Sequence, residues 1–207
     1  RRFLFLDTQR RFKSSQKSLF TMMDEILYEL SDNFSVFFQI GMLKMYTMLS
    51  NTNRYMLHYE LNKNLMDGIE FHIRDNYEKY KKITYLVLYY NFYMLAKTGN
   101  EKHYHDLFEL IKNKNDELDH ADKQDLYTIL ANFCYTKINK GEMDFIKQQF
   151  YLNKQKIETK FYRPESGYIS HILFINVVIT GLEAGEELWV REFIEKYKPE
   201  LDPVNRE

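Results

Sequence analysis

Four short polar turns recur along the chain at near-constant spacing, and each closes an apolar stretch of helical length. Placing Thr52, Gly99, Gly141 and Gly185 over one another gives intervals of 47, 42 and 44 residues. Intervals of this size match a two-helix repeat unit, slightly longer than the 34 residues of a tetratricopeptide repeat. The columns upstream of the turns also match. Three residues before each turn stand Leu49, Ala96, Ile138 and Leu182. Six before stand Tyr46, Tyr93, Tyr135 and Ile179. Ten before stand Met42, Tyr89, Ala131 and Ile175, and thirteen before stand Gln39, Leu86, Thr128 and Ile172. These offsets project onto one side of a helix, the side expected to pack on the partner helix of the same unit.

A second apolar side follows from the neighbouring offsets. Twelve before each turn are Ile40, Val87, Ile129 and Leu173, and eleven before are Gly41, Leu88, Leu130 and Phe174. A helix apolar on two sides is sandwiched between neighbours. No isolated unit could bury both sides, so stacking of units is what would stabilise the fold. The spacing therefore predicts an all-α chain, an α-solenoid of stacked antiparallel helix pairs with about four helix–turn–helix units. They cover residues 34–70, 83–115, 123–159 and 168–198, within a single helical-repeat domain spanning 1–207. One or two further helices are expected over 1–30, with a break at Ser31-Asp32-Asn33. Asp119 and Asp122 are placed to cap the helix that follows, and Ser166 to cap the last unit. Pro199 and Pro203 should stop the final helix, whose Trp189 is the only tryptophan.

The scarcity of breakers supports helices over strands. With 7 Gly and 3 Pro among 207 residues, the chain lacks the turn residues that an all-β fold consumes. The single cysteine, Cys134, excludes an internal disulfide and a cysteine-rich zinc site, and is expected to be a small buried residue. A net charge of −1 gives no global drive towards nucleic acid or acidic membranes. The apolar runs 83–96 and 169–182 are too short to span a bilayer, so no membrane partner and a cytoplasmic location are expected. The chain opens on Arg1 and ends just past a turn, which reads as a fragment of a longer protein.

Sites of chemistry are sparse. The six histidines include His103 and His105, which are two apart on a helix and cannot share a metal easily. No metalloprotease, phosphate-loop or nucleophile-elbow motif is present. No metal, cofactor or catalytic residue is expected, and an enzyme whose groups converge from distant segments is the remaining catalytic alternative. The basic start (Arg1, Arg2, Arg10, Arg11, Lys13, Lys17) reads either as a phosphate-contacting arm at the end of a DNA-binding domain or as a solvated helix face. Nucleic acid is not the expected partner of this region.

The stretch from Gly185-Glu186 through Trp189, Phe193, Ile194 and Tyr197, followed by Leu201, Pro203 and Arg206-Glu207, resembles a pattern in uncharacterised bacterial helical-repeat proteins of tetratricopeptide-like type. The likeness covers about 40 residues and carries no assigned activity. Upstream, Tyr104 and Phe108 keep its aromatic spacing, whereas Phe145 and Phe150 stand one residue further apart. The resemblance implies a right-handed superhelix, with further repeats after Glu207. In such solenoids the first helices line a concave groove. The positions that would line it here form a polar strip that includes Tyr90, Asn132, Thr136, Asn176 and Thr180. An Asn amide suits peptide-backbone recognition because it offers both a donor and an acceptor. Inter-repeat hydrogen bonding by Asn132 and Asn176, or plain exposure, is the alternative. The leading expectation is a non-catalytic scaffold that binds a protein or peptide through this strip. The second is the sensor region of a peptide-regulated transcription factor.

Overall fold

The computed structural model describes residues 6–11, 20–53, 63–160 and 168–201. The described residues are helical almost throughout. They contain no strand, only an isolated bridge between Ile169 and Leu201. The chain divides into two compact units, Arg1–Leu110 and Ile111–Glu207.

In the first unit a short helical segment at 6–11 precedes α1 (Phe20–Asn53), α2 (Lys63–Asp75), the single turn α3 (Tyr77–Tyr80), α4 (Thr84–Thr98) and α5 (Glu101–Lys114), within which the unit boundary falls. At 34 residues α1 is about 51 Å long. It runs through Ser31-Asp32-Asn33, where the sequence suggested a break. These residues are only weakly disfavoured in a helix, by well under 1 kcal/mol each, and tertiary partners use their side chains. Asp32 accepts from Lys79, and Asn33 Nδ2 donates to Thr8 Oγ1 at 3.3 Å. Asn51-Thr52-Asn53 is helical too, so the first of the four aligned turns is not a turn. The other three are. Gly99, Gly141 and Gly185 have φ of 64°, 88° and 81°, a left-handed conformation that costs a side-chain-bearing residue energy. Asn and Thr are weaker stops than a glycine that must be left-handed.

Helix α4 is buried over most of its circumference, with Val87, Tyr90 and Met94 half-buried on the remaining side. Leu86, Leu88, Tyr89, Phe92 and Tyr93 are each at most 2 % exposed. It packs along α1, where Val36 and Leu43 are buried, and the Tyr46 and Tyr93 rings meet edge to face at 4.8 Å. Lys97 links α4 to α2. Its ammonium donates to Glu70 at 2.7 Å, Asp67 at 3.0 Å and the Tyr93 hydroxyl at 3.0 Å. The hydrogen bond to Glu70, then those to Tyr93 and Asp67, hold its pKa above the usual lysine value.

The second unit continues with a 3₁₀ turn at Asn115–Glu117, then α6 (His120–Ile138), α7 (Phe145–Glu158), α8 (His171–Glu183), α9 (Glu187–Tyr197) and a 3₁₀ turn at Lys198–Glu200 containing Pro199. Each of α6 to α9 packs on the next. Asp119 caps α6, its carboxylate accepting from the Asp122 amide at 2.8 Å. Ser166 and Pro203 lie outside the described residues. Cys134 is fully buried and forms no disulfide. The core between α7, α8 and α9 holds Ile157, Ile169, Val177, Phe193 and Leu201. Trp189 belongs to this packing, stacked on Phe193 at 5.3 Å and edge-on to Phe150 at 5.0 Å. Ile169 N donates to Glu200 O at 2.9 Å, tying the start of this hairpin to its end.

Candidate functional site

The polar strip divides between the two units. Tyr90 stands on α4 in the first, and the other four members stand on α6 and α8 in the second.

Tyr90 is half-buried, and burial raises its pKa. Its ring meets His103 edge to face at 6.4 Å. Beside it lies a pocket lined with Ile73, Tyr80, Leu86 and Asn91, with room of about 10 Å³, enough for one water at most. Asn91 Nδ2 donates to Val87 O, so its Oδ1 is the acceptor for His103 Nδ1–H at 2.7 Å. Burial also lowers the His103 pKa.

In the second unit Asn132 and Thr136 are exposed on α6, where the Thr136 hydroxyl donates to the Asn132 carbonyl at 2.9 Å. The Asn132 side chain is thus presented outward. On α8, Asn176 is half-buried and Thr180 is buried. The Thr180 hydroxyl donates to the Asn176 carbonyl at 2.6 Å and accepts from Asn153 Nδ2 at 3.2 Å. Gln149 Nε2 reaches Asn153 Oδ1 at 3.5 Å, extending a buried polar chain between α7 and α8. Thr180 therefore satisfies a core amide. Spacing alone could not separate it from Thr136, because the two stand at the same offset before their turns.

The apolar columns are placed differently from the expectation in α8. Ile172, Ile175, Ile179 and Leu182 were expected to pack on α9. They are instead exposed, Ile172 at 72 % and Leu182 at 51 %. The side that meets α9 carries Leu173, Phe174, Val177, Val178 and Gly181. The reason is steric. A Cβ on Gly181 would lie 2.4 Å from Val190 Cγ2 and 3.1 Å from Phe150, so only glycine admits α9 this close. A glycine in a helix interior is the signal that could have located this face. The row Ile172, Ile175, Ile179 and Leu182 keeps a spacing of three and four, so it forms one continuous apolar stripe on a helix whose opposite side is already packed.

A second opening lies between α1 and α2. It is a cleft of about 280 Å³ whose lining includes Phe38, Gln39, Leu65, Gly68 and His72. This is just below the size range of sites for drug-sized ligands. Gln39 is buried, and its Oε1 has no hydrogen-bond partner among the described residues. His72 Nε2 is within 2.9 Å of the Tyr80 hydroxyl, so that ring is held from below.

Of the basic start, Arg10 and Arg11 sit against carboxylates. Arg10 pairs with Asp7 at 3.0 Å and Arg11 with Glu29 at 2.7 Å, while Arg1, Arg2, Lys13 and Lys17 lie outside the described residues. Among the described residues no group of three His, Cys, Asp or Glu side chains is placed to hold a metal ion. No helix described is long and apolar enough to cross a membrane. Compared with protein-family models, curated proteins and solved structures, the chain matches none.

Proposed function

We propose that the chain is a non-catalytic helical-repeat scaffold of tetratricopeptide-like type that binds a protein or peptide. The observation that carries this reading is the stripe Ile172, Ile175, Ile179 and Leu182, exposed along α8. Soluble monomers rarely leave a contiguous apolar row uncovered, and such rows serve as contact surfaces. Asn132, exposed on α6, and Asn176, partly exposed beside the stripe, supply amides able to pair with a peptide backbone. Thr180 supports that surface from within through Asn153, and Tyr90 belongs to the other unit. A reducing compartment such as the cytoplasm suits the buried thiol of Cys134.

The test is a selection from a displayed peptide library against the full chain, followed by titration of the enriched peptides. An Ile175→Glu/Ile179→Glu variant should keep its helical circular dichroism and its cooperative melt while losing the selected peptides. Asn132→Ala/Asn176→Ala should weaken them. Enriched peptides that bind the glutamate variant as tightly as the parent protein would remove this surface from consideration.

A further inference from the structure

The cleft between α1 and α2 is walled by two short rows of residues. On α2, Asn64, Gly68 and His72 stand four residues apart and share one side of the helix. On α1, Ser35, Phe38 and Gln39 face them. Behind these walls, four polar side chains from α1, α2 and α3 form one hydrogen-bonded chain. Gln39 and Tyr80 are its buried members, and Ser35 and His72 are its ends. Gln39 Nε2 donates to Ser35 Oγ at 3.0 Å. Gln39 is also hydrogen-bonded to Tyr80, and its Oε1 has no partner among the described residues, so the amide nitrogen donates there too. The Tyr80 hydroxyl thus accepts from Gln39. Its own proton goes to His72 Nε2, 2.9 Å away, because a buried hydroxyl proton with no acceptor is destabilising.

The direction of this chain of bonds fixes what the cleft offers. Ser35 Oγ accepts from Gln39, so its own proton is left to donate. His72 Nε2 accepts from Tyr80, so the proton of the neutral imidazole is on Nδ1, a second donor. Both residues line the cleft, and the bonds behind them hold them in place before anything binds. Beside them lie the Phe38 ring and Ile69. None of the lining residues is Asp, Glu, Lys or Arg. A charged ligand would leave water for walls without a counter-ion, a loss that a neutral ligand avoids. Size sets the last limit. A cavity of about 150 Å³ holds benzene, and this cleft of about 280 Å³ has room for two fused rings. Gly68 contributes to that room. It stands between Asn64 and His72 in their row, and no described atom lies within 4 Å of the position its Cβ would take.

We propose that the α1–α2 cleft is a binding site for a neutral planar molecule of one or two rings that carries a carbonyl or ring-nitrogen acceptor. The acceptor takes the Ser35 and His72 protons, and the rings lie against Phe38 and Ile69. The site is confined to the first unit and does not involve the α8 stripe. The test is a titration of the full chain, followed by heteronuclear NMR, with three two-ring probes. Coumarin has a carbonyl acceptor and no N–H or O–H, indole has a donor and no matching acceptor, and 2-naphthoate is an anion. Coumarin should bind with a Kd of about 1 mM or tighter, the range open to a ligand of this size. It should shift the amides of Ser35, Gly68 and His72. Indole and 2-naphthoate should each bind at least about threefold more weakly. The His72 ring nitrogens should report the Nδ1–H tautomer. Gly68→Leu should weaken coumarin at least about tenfold by filling the cleft, while melting no lower, because leucine is the better helix former. Ser35→Ala should weaken it about three- to tenfold and leave indole unchanged. Coumarin that fails to bind in this range, or that shifts only residues away from the cleft, overturns the proposal. So does 2-naphthoate or indole binding as tightly as coumarin, or a Gly68→Leu variant that binds coumarin as the parent protein does. An Nε2–H tautomer at His72 would reverse the donor argument and also overturn it.

Discussion

Two helix-interior glycines behave in opposite ways. Gly181 in α8 lies under Val190 and Phe150, with space for no side chain at all. Gly41 in α1 stands in open space, flanked by exposed Phe and Met side chains. Each costs its helix about 1 kcal/mol relative to alanine. At Gly181 the close approach of α9 accounts for that cost, and the approach decides which side of α8 is core. At Gly41 no described residue comes within 4 Å of the missing Cβ. A mid-helix glycine can thus record a close neighbour, as at Gly181, or stand clear of the described residues, as at Gly41.

The largest effect expected from this comparison is at Gly181. Gly181→Ala places a Cβ against a Val190 methyl, and overpacking of this kind costs about 1–3 kcal/mol. Chemical denaturation should read that loss directly. Val190→Ala on the same chain makes room, so the double variant should lose less than the sum of the two single changes. Strict additivity would mean that the contact does not set the helix spacing.

A second contrast lies within the polar strip. Thr180→Val strands Asn153 Nδ2 in the core, and leaving a buried donor unpaired costs about 1–3 kcal/mol. Thr136→Val, at the equivalent offset but exposed, should change stability by less than about 0.5 kcal/mol. If the two threonines respond alike, the division of the strip into core and surface is wrong.

Helix positions were legible in the sequence wherever glycine enforced them. The turns at Gly99, Gly141 and Gly185 separate the helices as the spacing predicted, because a left-handed backbone leaves a residue-specific mark. Turns inferred from polar residues alone were not legible. Ser31-Asp32-Asn33 and Asn51-Thr52-Asn53 remain helical, and at the first of these a small propensity penalty is outweighed by partners distant in sequence. Periodicity found the apolar sides of each helix but could not rank them. In α4 both carry buried residues, whereas in α8 one is packed and the other exposed. What separates these cases is how many neighbours a helix has, and that is a property of the assembled fold. The candidate site shows the same limit. Asn132 and Thr136 could be placed on a surface from spacing, but the capture of Thr180 by Asn153 depends on a contact across 27 residues.

His103, half-buried on α5, gives the chain a pH-dependent element of stability. Burial lowers the His103 pKa below 6.5, so the folded state resists the proton that the unfolded chain accepts. Stability from this group is therefore complete above about pH 6.5 and declines as pH falls from there towards the folded-state pKa. His103→Asn should flatten the melting temperature between pH 7.5 and 5.5. A slope equal to that of the parent protein would remove the burial argument.

The smallest expected effect bears most directly on the opening contrast. Gly41→Ala should stabilise the chain by about 0.5–1 kcal/mol, because alanine is the better helix former and no described atom stands within 4 Å of its Cβ. Gly181→Ala should act with the opposite sign, since its Cβ would meet Val190. Chemical denaturation of the two variants reads both changes, and a shift of the same sign at both positions would mean that the space around a mid-helix glycine does not decide the outcome.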